Sequence, residues 1–340
     1  MRKSKIRKEH IQKYSGQIRT LDGLIPHLKR SQIIVETGQV LTGDAPKVFL
    51  RQYVYGECFR KNAKNWPAFI AKVGHKWYPV ESIMEQLLTD LGKLYGMKIA
   101  DSKLMIASGQ LRFLSKYFLK KDEQLIHGAQ IYAAHLNDDI SFVEEIEDMK
   151  LASDFFTVSF TLDAMKTVFP NTYNTLFSKL LEMLTFDAIT GNNDRHFYNW
   201  GVITNVKKET LPVFSPIYDT ARALFWNYSD DKIKNVCASE AMRIIQIEKY
   251  GSNSKSKIGI EGCKNLNHFQ LIEEILKLFH DYRDIVVSLI KKLVSIDESE
   301  LLNDDYRLLL SHQRRELILD CLNYRKQKLL TIARNYDQTI

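Results

Sequence analysis

Cysteine is scarce: Cys58, Cys237, Cys263 and Cys321 are the only four in 340 residues, and no two form a CxxC pair. Such spacing favours neither a disulfide framework nor a zinc site. A reducing compartment, most simply the cytoplasm, is the expected address. No apolar run approaches the roughly 18–20 residues that a spanning helix needs. The N-terminus lacks an apolar segment leading to a small-residue cleavage site, so no signal peptide is expected. Internal repeats and long Pro/Gly/Ser linkers are absent too, which argues against a repeat array or loosely tethered modules.

What is present is 45% hydrophobic and 26% charged, the composition of a globular chain long enough for two lobes, each with its own core. The net charge of +7 is confined to the start of the chain. Arg2, Lys3, Lys5, Arg7, Lys8, Lys13, Arg19, Lys29 and Arg30 are opposed there only by Glu9 and Asp22. Beyond residue 30 the count is 39 basic against 39 acidic, so the body is no nucleic-acid platform. Residues 1–31 read as a basic, solvated arm.

After the arm, residues 32–41 and 47–55 are β-branched and aromatic on either side of a Gly-Asp-Ala-Pro turn, which predicts a hairpin. The run 67–73 predicts a buried strand. Ile83, Leu87, Leu88, Leu91 and Leu94 recur at helical spacing over 80–95, with Gly96 as the stop. Strands near 103–107 and 111–118 complete a strand-rich half. Further on, 173–190 reads as a buried helix ended by Gly191. A polar turn leads to a strand at 200–204, then a turn at 205–210 and a strand at 211–215. Apolar periodicity near 269–295 and 314–333 predicts more helix. The outcome is an α+β, bilobal arrangement: a mixed-sheet N-lobe over 32–119 and a mainly helical C-lobe over 120–340.

Phosphoryl transfer asks for a cation on the phosphates, oxygen ligands for magnesium and a carboxylate that takes the acceptor's proton. Within residues 191–201, Asp194 and Asn199 stand five apart in a loop, so a carboxylate can face the acceptor while an amide oxygen faces a metal. Asp219 follows a short strand that a hairpin through 205–210 would return beside Asn199, and hard oxygen donors suit magnesium. Lys72 sits in an otherwise apolar strand, where an unpaired ammonium would be costly. Glu85 lies thirteen residues on, in the next helix, with Glu81 one turn earlier as a competitor.

These residues resemble the HipA-like serine/threonine kinases, whose loop has the form Asp-x-His-x-x-Asn followed by Tyr-Asp. The matching stretches are Asp194-Arg195-His196-Phe197-Tyr198-Asn199 and Tyr218-Asp219. A more distant likeness is to phosphatidylinositol kinases. The resemblance implies a kinase-like fold using ATP and Mg2+, with Asp194 as catalytic base and Asn199 and Asp219 as metal ligands. It also implies a Lys72–Glu85 ion pair at the phosphates, and His196 and Arg195 holding the loop. Gly43 and Lys47 match the turn over the nucleotide, although a plain hairpin turn reads equally well. Tyr117 and Phe118 correspond in order to the hinge that binds adenine. Arg222 is open to two readings, a phosphate or acidic-group ligand, or the partner of a nearby carboxylate. The family's usual N-terminal subdomain is replaced by the basic arm. Its autophosphorylated serine aligns with Val40, with Thr42 as a substitute. The expected partners are a protein substrate and an antitoxin or regulator. The alternatives are a lipid or small-molecule kinase of the same fold, or a non-catalytic nucleotide-binding partner in a toxin–antitoxin assembly.

Overall fold

The computed structural model describes residues 23–36, 47–74, 80–107 and 109–337. Most of the basic arm lies outside the described residues, as do Val40, Thr42 and the Gly43 turn. Six strands make the first sheet: β1 (His27–Leu28), β2 (Ile33–Val35), β3 (Lys47–Gln52), β4 (Ala68–Val73), β5 (Ser102–Ala107) and β6 (Gln110–Lys116). Their order is β1-β5-β6-β4-β3-β2, and only the β1–β5 pair is parallel. The expected hairpin is the β2–β3 pair, with Ile33 opposite Gln52.

The alternation of β4 decides where its lysine goes. Phe69 and Ala71 bury themselves with Leu50, Met105 and Leu114 on one face of the sheet. With a side-chain period of two, Lys72 must emerge on the other face, where it stands in register with Phe113. That face is covered by α1 (Glu81–Leu94), whose Ile83, Leu87, Leu88 and Leu91 share a core with Leu104, Ile106 and Phe113. Leu94, read from its spacing as part of the same stripe, is 41% exposed in the last turn. Gly96 does end the helix: it adopts φ +68°, and the next amide, Met97 N, bonds back to Gly92 O at 2.8 Å. The chain then pairs Ile99 with Ile217 in a parallel bridge. Ile217 N donates to Lys98 O at 2.8 Å and its carbonyl accepts from Ala100 N at 2.9 Å.

A small antiparallel sheet comes next, from β7 (Glu123–His127), β8 (Gly201–Asn205) and β9 (Val213–Phe214) in that order. The helices after β7 are α2 (Gly128–Leu136), α3 (Ile140–Asp148), α4 (Ala152–Phe155), α5 (Val158–Val168) and α6 (Tyr173–Thr190). Beyond β9 come α7 (Asp230–Val236), α8 (Glu240–Asn253), α9 (His268–Leu278), α10 (Arg283–Val294) and α11 (His312–Arg334). Helix α6 is the axis of this half, packed by α5, α9, α10 and α11. Its apolar residues on several faces are the sequence signature of that position. Among the described residues, no helix is long and apolar enough to cross a membrane.

One expectation needs correction and another needs detail. The strand predicted over 211–215 is only Val213–Phe214, because Leu211 is exposed and Pro212 has no amide to give a ladder. The helical periodicity near 269–295 belongs to two helices, because a 3-10 turn, His280–Tyr282, follows Phe279 and separates α9 from α10. The break lets Phe279 and Tyr282 pack on Phe177 of α6, with ring centroids 5.5 and 4.8 Å away. Apolar periodicity on both sides conceals it.

Candidate active site

The strand-rich and helical halves meet around Lys72. Its Nζ donates to Glu85 Oε1 at 2.6 Å and to Asp219 Oδ1 at 2.9 Å, and lies 5.8 Å from the Phe113 ring centroid. Burial disfavours the ammonium, but the two carboxylates outweigh it and hold the Lys72 pKa above its ordinary value. Lys72 therefore stays charged. Glu85 is buried, and burial pushes its carboxyl up to about 7 against the pull of Lys72. The ion pair of Lys72 is with Glu85; the competing Glu81 contributes only repulsion to that carboxylate.

Asp219 receives a second lysine, with Lys47 Nζ 3.6 Å from Oδ2. Burial raises the affinity of Asp219 for a proton, yet Lys72 and Lys47 together keep its carboxyl well below the usual range. Its backbone is left-handed at φ +56°, a conformation that non-glycine residues seldom adopt without support. The support comes from the residue before. Tyr218 O accepts from Arg195 Nη1 at 2.8 Å, and the Tyr218 hydroxyl donates to Tyr198 O at 3.0 Å while lying 3.0 Å from His127 Nδ1.

The loop carrying Asp194 is built from the end of α6. Gly191 adopts φ +71° and bonds through its amide to Asp187 O at 2.7 Å. A Cβ there would meet the Tyr250 ring at 2.7 Å, so the position is closed to side chains. Asp187 organises the residues of the loop itself. Its carboxylate accepts from Asn192 Nδ2 at 3.0 Å and binds both ends of the Arg195 fork, Nε at 2.7 Å and Nη2 at 3.0 Å. Arg195 and Asp187 are both completely buried. The remaining arm of the guanidinium, Nη1, reaches Asn199 O at 2.6 Å as well as Tyr218 O. One side chain thus joins α6, the Asp194–Asn199 loop and the Asp219 segment.

Asn199 Nδ2 donates to Asp194 O at 2.6 Å, which commits its nitrogen to the loop and leaves its oxygen as the group able to meet a cation. His196 Nδ1 accepts from Tyr198 N at 3.2 Å, and burial lowers its pKa, so the ring is a neutral loop brace. Asp194 is raised above the usual carboxylate range by burial, against the opposing charge of Arg222. Arg222 Nε lies 3.3 Å from Asp194 Oδ2 and its guanidinium 5.6 Å from the Trp226 ring centroid. The carboxylate partner that one reading of Arg222 expected is Asp194.

At the expected hinge, Tyr117 N is already engaged by Ala68 O at 2.9 Å, so that amide is not the donor for a base. Phe118 lies 5.9 Å, ring to ring, from Tyr218. Gly43 is outside the described residues. Among the described residues no three His, Cys, Asp or Glu side chains converge as a metal cage. Asp219 and the Asn199 side-chain oxygen are the oxygen donors that this region could offer a cation. That suits magnesium, which fills its other positions with water and phosphate oxygens.

Three organising residues were not foreseen: Asp187, His127 and Tyr250. Asp187 left a signal, a carboxylate within an apolar helix, which must have a cationic partner. Tyr250 accepts from Leu224 N at 2.8 Å and donates to Gly191 O at 2.7 Å, uniting positions far apart in sequence. His127 left no comparable mark.

Two lobes, one a sheet with a covering helix and the other built on a central helix, with the ion pairs between them, define a bilobal, kinase-like fold. The profile of the HipA-like C-terminal domain matches residues 40–293, and the chain belongs to this family. Among solved structures, it is similar to the proinflammatory kinase CtkA of Helicobacter pylori at 16% identity and a TM-score of 0.66, covering 91% of this chain and 98% of that one. It also matches HipA of Shewanella oneidensis MR-1, solved in complex with HipB and operator DNA, at 13% identity and a TM-score of 0.38, covering 91% and 73%. No curated protein matches the chain.

Proposed function

We propose that this chain is an ATP- and magnesium-dependent serine/threonine protein kinase acting in the cytoplasm. One observation carries the reading: the Lys72 ammonium is gripped by Glu85 and Asp219 at 2.6 and 2.9 Å, beside a loop locked to the Asp219 segment. Lys72, kept charged, offers its ammonium to the phosphate oxygens, and Glu85 fixes its direction. Asp219 and the Asn199 oxygen would hold magnesium, which supplies positive charge against the β and γ phosphates. Asp194 orients the acceptor hydroxyl and takes its proton on a carboxylate oxygen as the new O–P bond forms and ADP leaves. A carboxyl pushed upward by burial is a better proton acceptor than a free one. Arg195 does no chemistry but keeps Asn199 and Tyr218 in register.

The test is mass spectrometry of the purified chain with ATP and magnesium, alone and with protein acceptors. Wild type is expected to place phosphate on serine or threonine, in itself or in an acceptor, whereas Asp194→Gln and Asp219→Asn do not. Wild-type-like incorporation by both variants would overturn the assignment. Family membership suggests a regulator or antitoxin as partner, and co-purification of a neighbouring gene's product is the corresponding check.

A further inference from the structure

Among the described residues, an unusual surface lies away from the cleft. Between β3 and β4 the chain makes an excursion over residues 53–66, and its tip presents Tyr55 at 91% and Phe59 at 86% exposure. Single exposed aliphatic residues are common, but two nearly fully exposed aromatic rings four residues apart are not. The excursion is well pinned. Buried Trp66 donates from Nε1 to Phe59 O at 3.0 Å, Arg51 Nη1 bonds Trp66 O at 3.1 Å, and the Tyr53 and Trp66 rings pack at 5.5 Å. The backbone behind the rings is therefore held while the rings themselves stand in solvent.

Arg60, Lys61 and Lys64 follow in the same excursion and are exposed, with the Arg60 guanidinium 6.0 Å from the Tyr53 ring centroid. Beside them a groove is lined by Val54, Glu57, Phe69, Asp101, Lys103 and Lys116. Lys103 Nζ lies 4.5 Å from the Phe69 ring centroid, on the sheet face opposite α1 and Lys72. The surface therefore has the five cations Arg60, Lys61, Lys64, Lys103 and Lys116 beside Glu57, while the second anion, Asp101, is paired with Lys93 at 3.1 Å. It combines aromatic anchors with a mixed-sign groove of net positive charge.

We propose that this face docks a protein partner whose surface is net acidic and offers apolar sockets for Tyr55 and Phe59. Aromatic and arginine side chains are the usual anchors of protein–protein contacts, with charge complementarity fixing partner and register. A nucleic-acid track or an anionic bilayer fits less well, because the exposed carboxylate of Glu57 stands between the two aromatics in sequence, where phosphates would be repelled. The proposal does not depend on phosphotransfer, since none of these residues belongs to the catalytic cluster.

The test starts with a photo-crosslinking benzoylphenylalanine at position 59 of the full chain, produced in cells of its source organism. The same residue at exposed Leu308 serves as control. The captured partner is then purified and its affinity measured against wild type, Tyr55→Ser/Phe59→Ser and Lys103→Glu. The expected result is a protein adduct specific to position 59 with an acidic contact segment. Binding should fall about thirtyfold in the double variant and weaken with added salt, while melting temperature and nucleotide binding stay unchanged. The proposal is overturned by the absence of a position-specific adduct, by an adduct to lipid, nucleic acid or a second copy of this chain, or by partner affinity unchanged within about threefold.

Discussion

Replacing Asp187 by alanine should strand a fully buried guanidinium. In the intact protein Arg195 gives two bonds to Asp187 and the rest of its fork to the carbonyls of Asn199 and Tyr218. Removing one member of a buried pair typically costs about 3–5 kcal/mol, because the survivor's charge is left without compensation. Unfolding entropy near about 2.1 cal/mol/K per residue, over 340 residues, converts that into a fall of about 4–7 °C in melting temperature. Scanning fluorimetry without nucleotide measures it. The paired change Asp187→Leu with Arg195→Met separates stability from function. Two apolar side chains of similar volume should restore most of the lost stability, since desolvation of the charges disappears with them. Activity should not return, because Asn199 O and Tyr218 O would have no donor between them. A fall of less than about 2 °C in Asp187→Ala, or full activity in the double variant, would refute the reasoning.

Other perturbations have equally definite directions. Arg222 lowers the Asp194 pKa, so Arg222→Ala should leave that carboxyl easier to protonate and move the acid limb of the pH–rate profile to higher pH; an unmoved or down-shifted limb contradicts it. Gly191→Ala combines a positive φ with a 2.7 Å approach to Tyr250 and should lower stability by about 1–3 kcal/mol, measured by denaturant titration. Excess EDTA should abolish phosphate incorporation while leaving the nucleotide-free melting temperature in place, since Asn199 and Asp219, the metal ligands proposed above, are held by protein hydrogen bonds and ion pairs.

Much of this organisation is legible in the amino-acid sequence because its physical signals are local. Lys72 in an apolar strand calls for a carboxylate partner, with Glu81 and Glu85 both in reach on the next helix; the family resemblance points to Glu85, and the structure joins that pair. The Asp194 loop taken alone reads equally as a helix-ending turn, and it is the downstream Tyr218-Asp219 pair that singles it out. What is not legible depends on closure over long sequence distances. Nothing near Tyr250 says that its hydroxyl will bridge Gly191 and Leu224, and nothing near His127 indicates Tyr218. The break at Phe279 is hidden for a related reason, since a helix and a helix-turn-helix can carry the same apolar period. The Tyr117 amide, placed at the hinge by order alone, is taken by Ala68, because a strand continuing one residue past β6 consumes the donor.

The Ile99–Ile217 bridge has a mechanical consequence. Ile217 stands two residues ahead of Asp219, and Lys98 to Ala100 come directly after the helix that carries Glu85. The two carboxylates that grip Lys72 are therefore anchored to one shared strip of backbone, whereas the lysine arrives on a separate strand. The ammonium is thus clasped from two sides of that strip, by one acid on the helix that precedes it and by the other on the segment bridged to it.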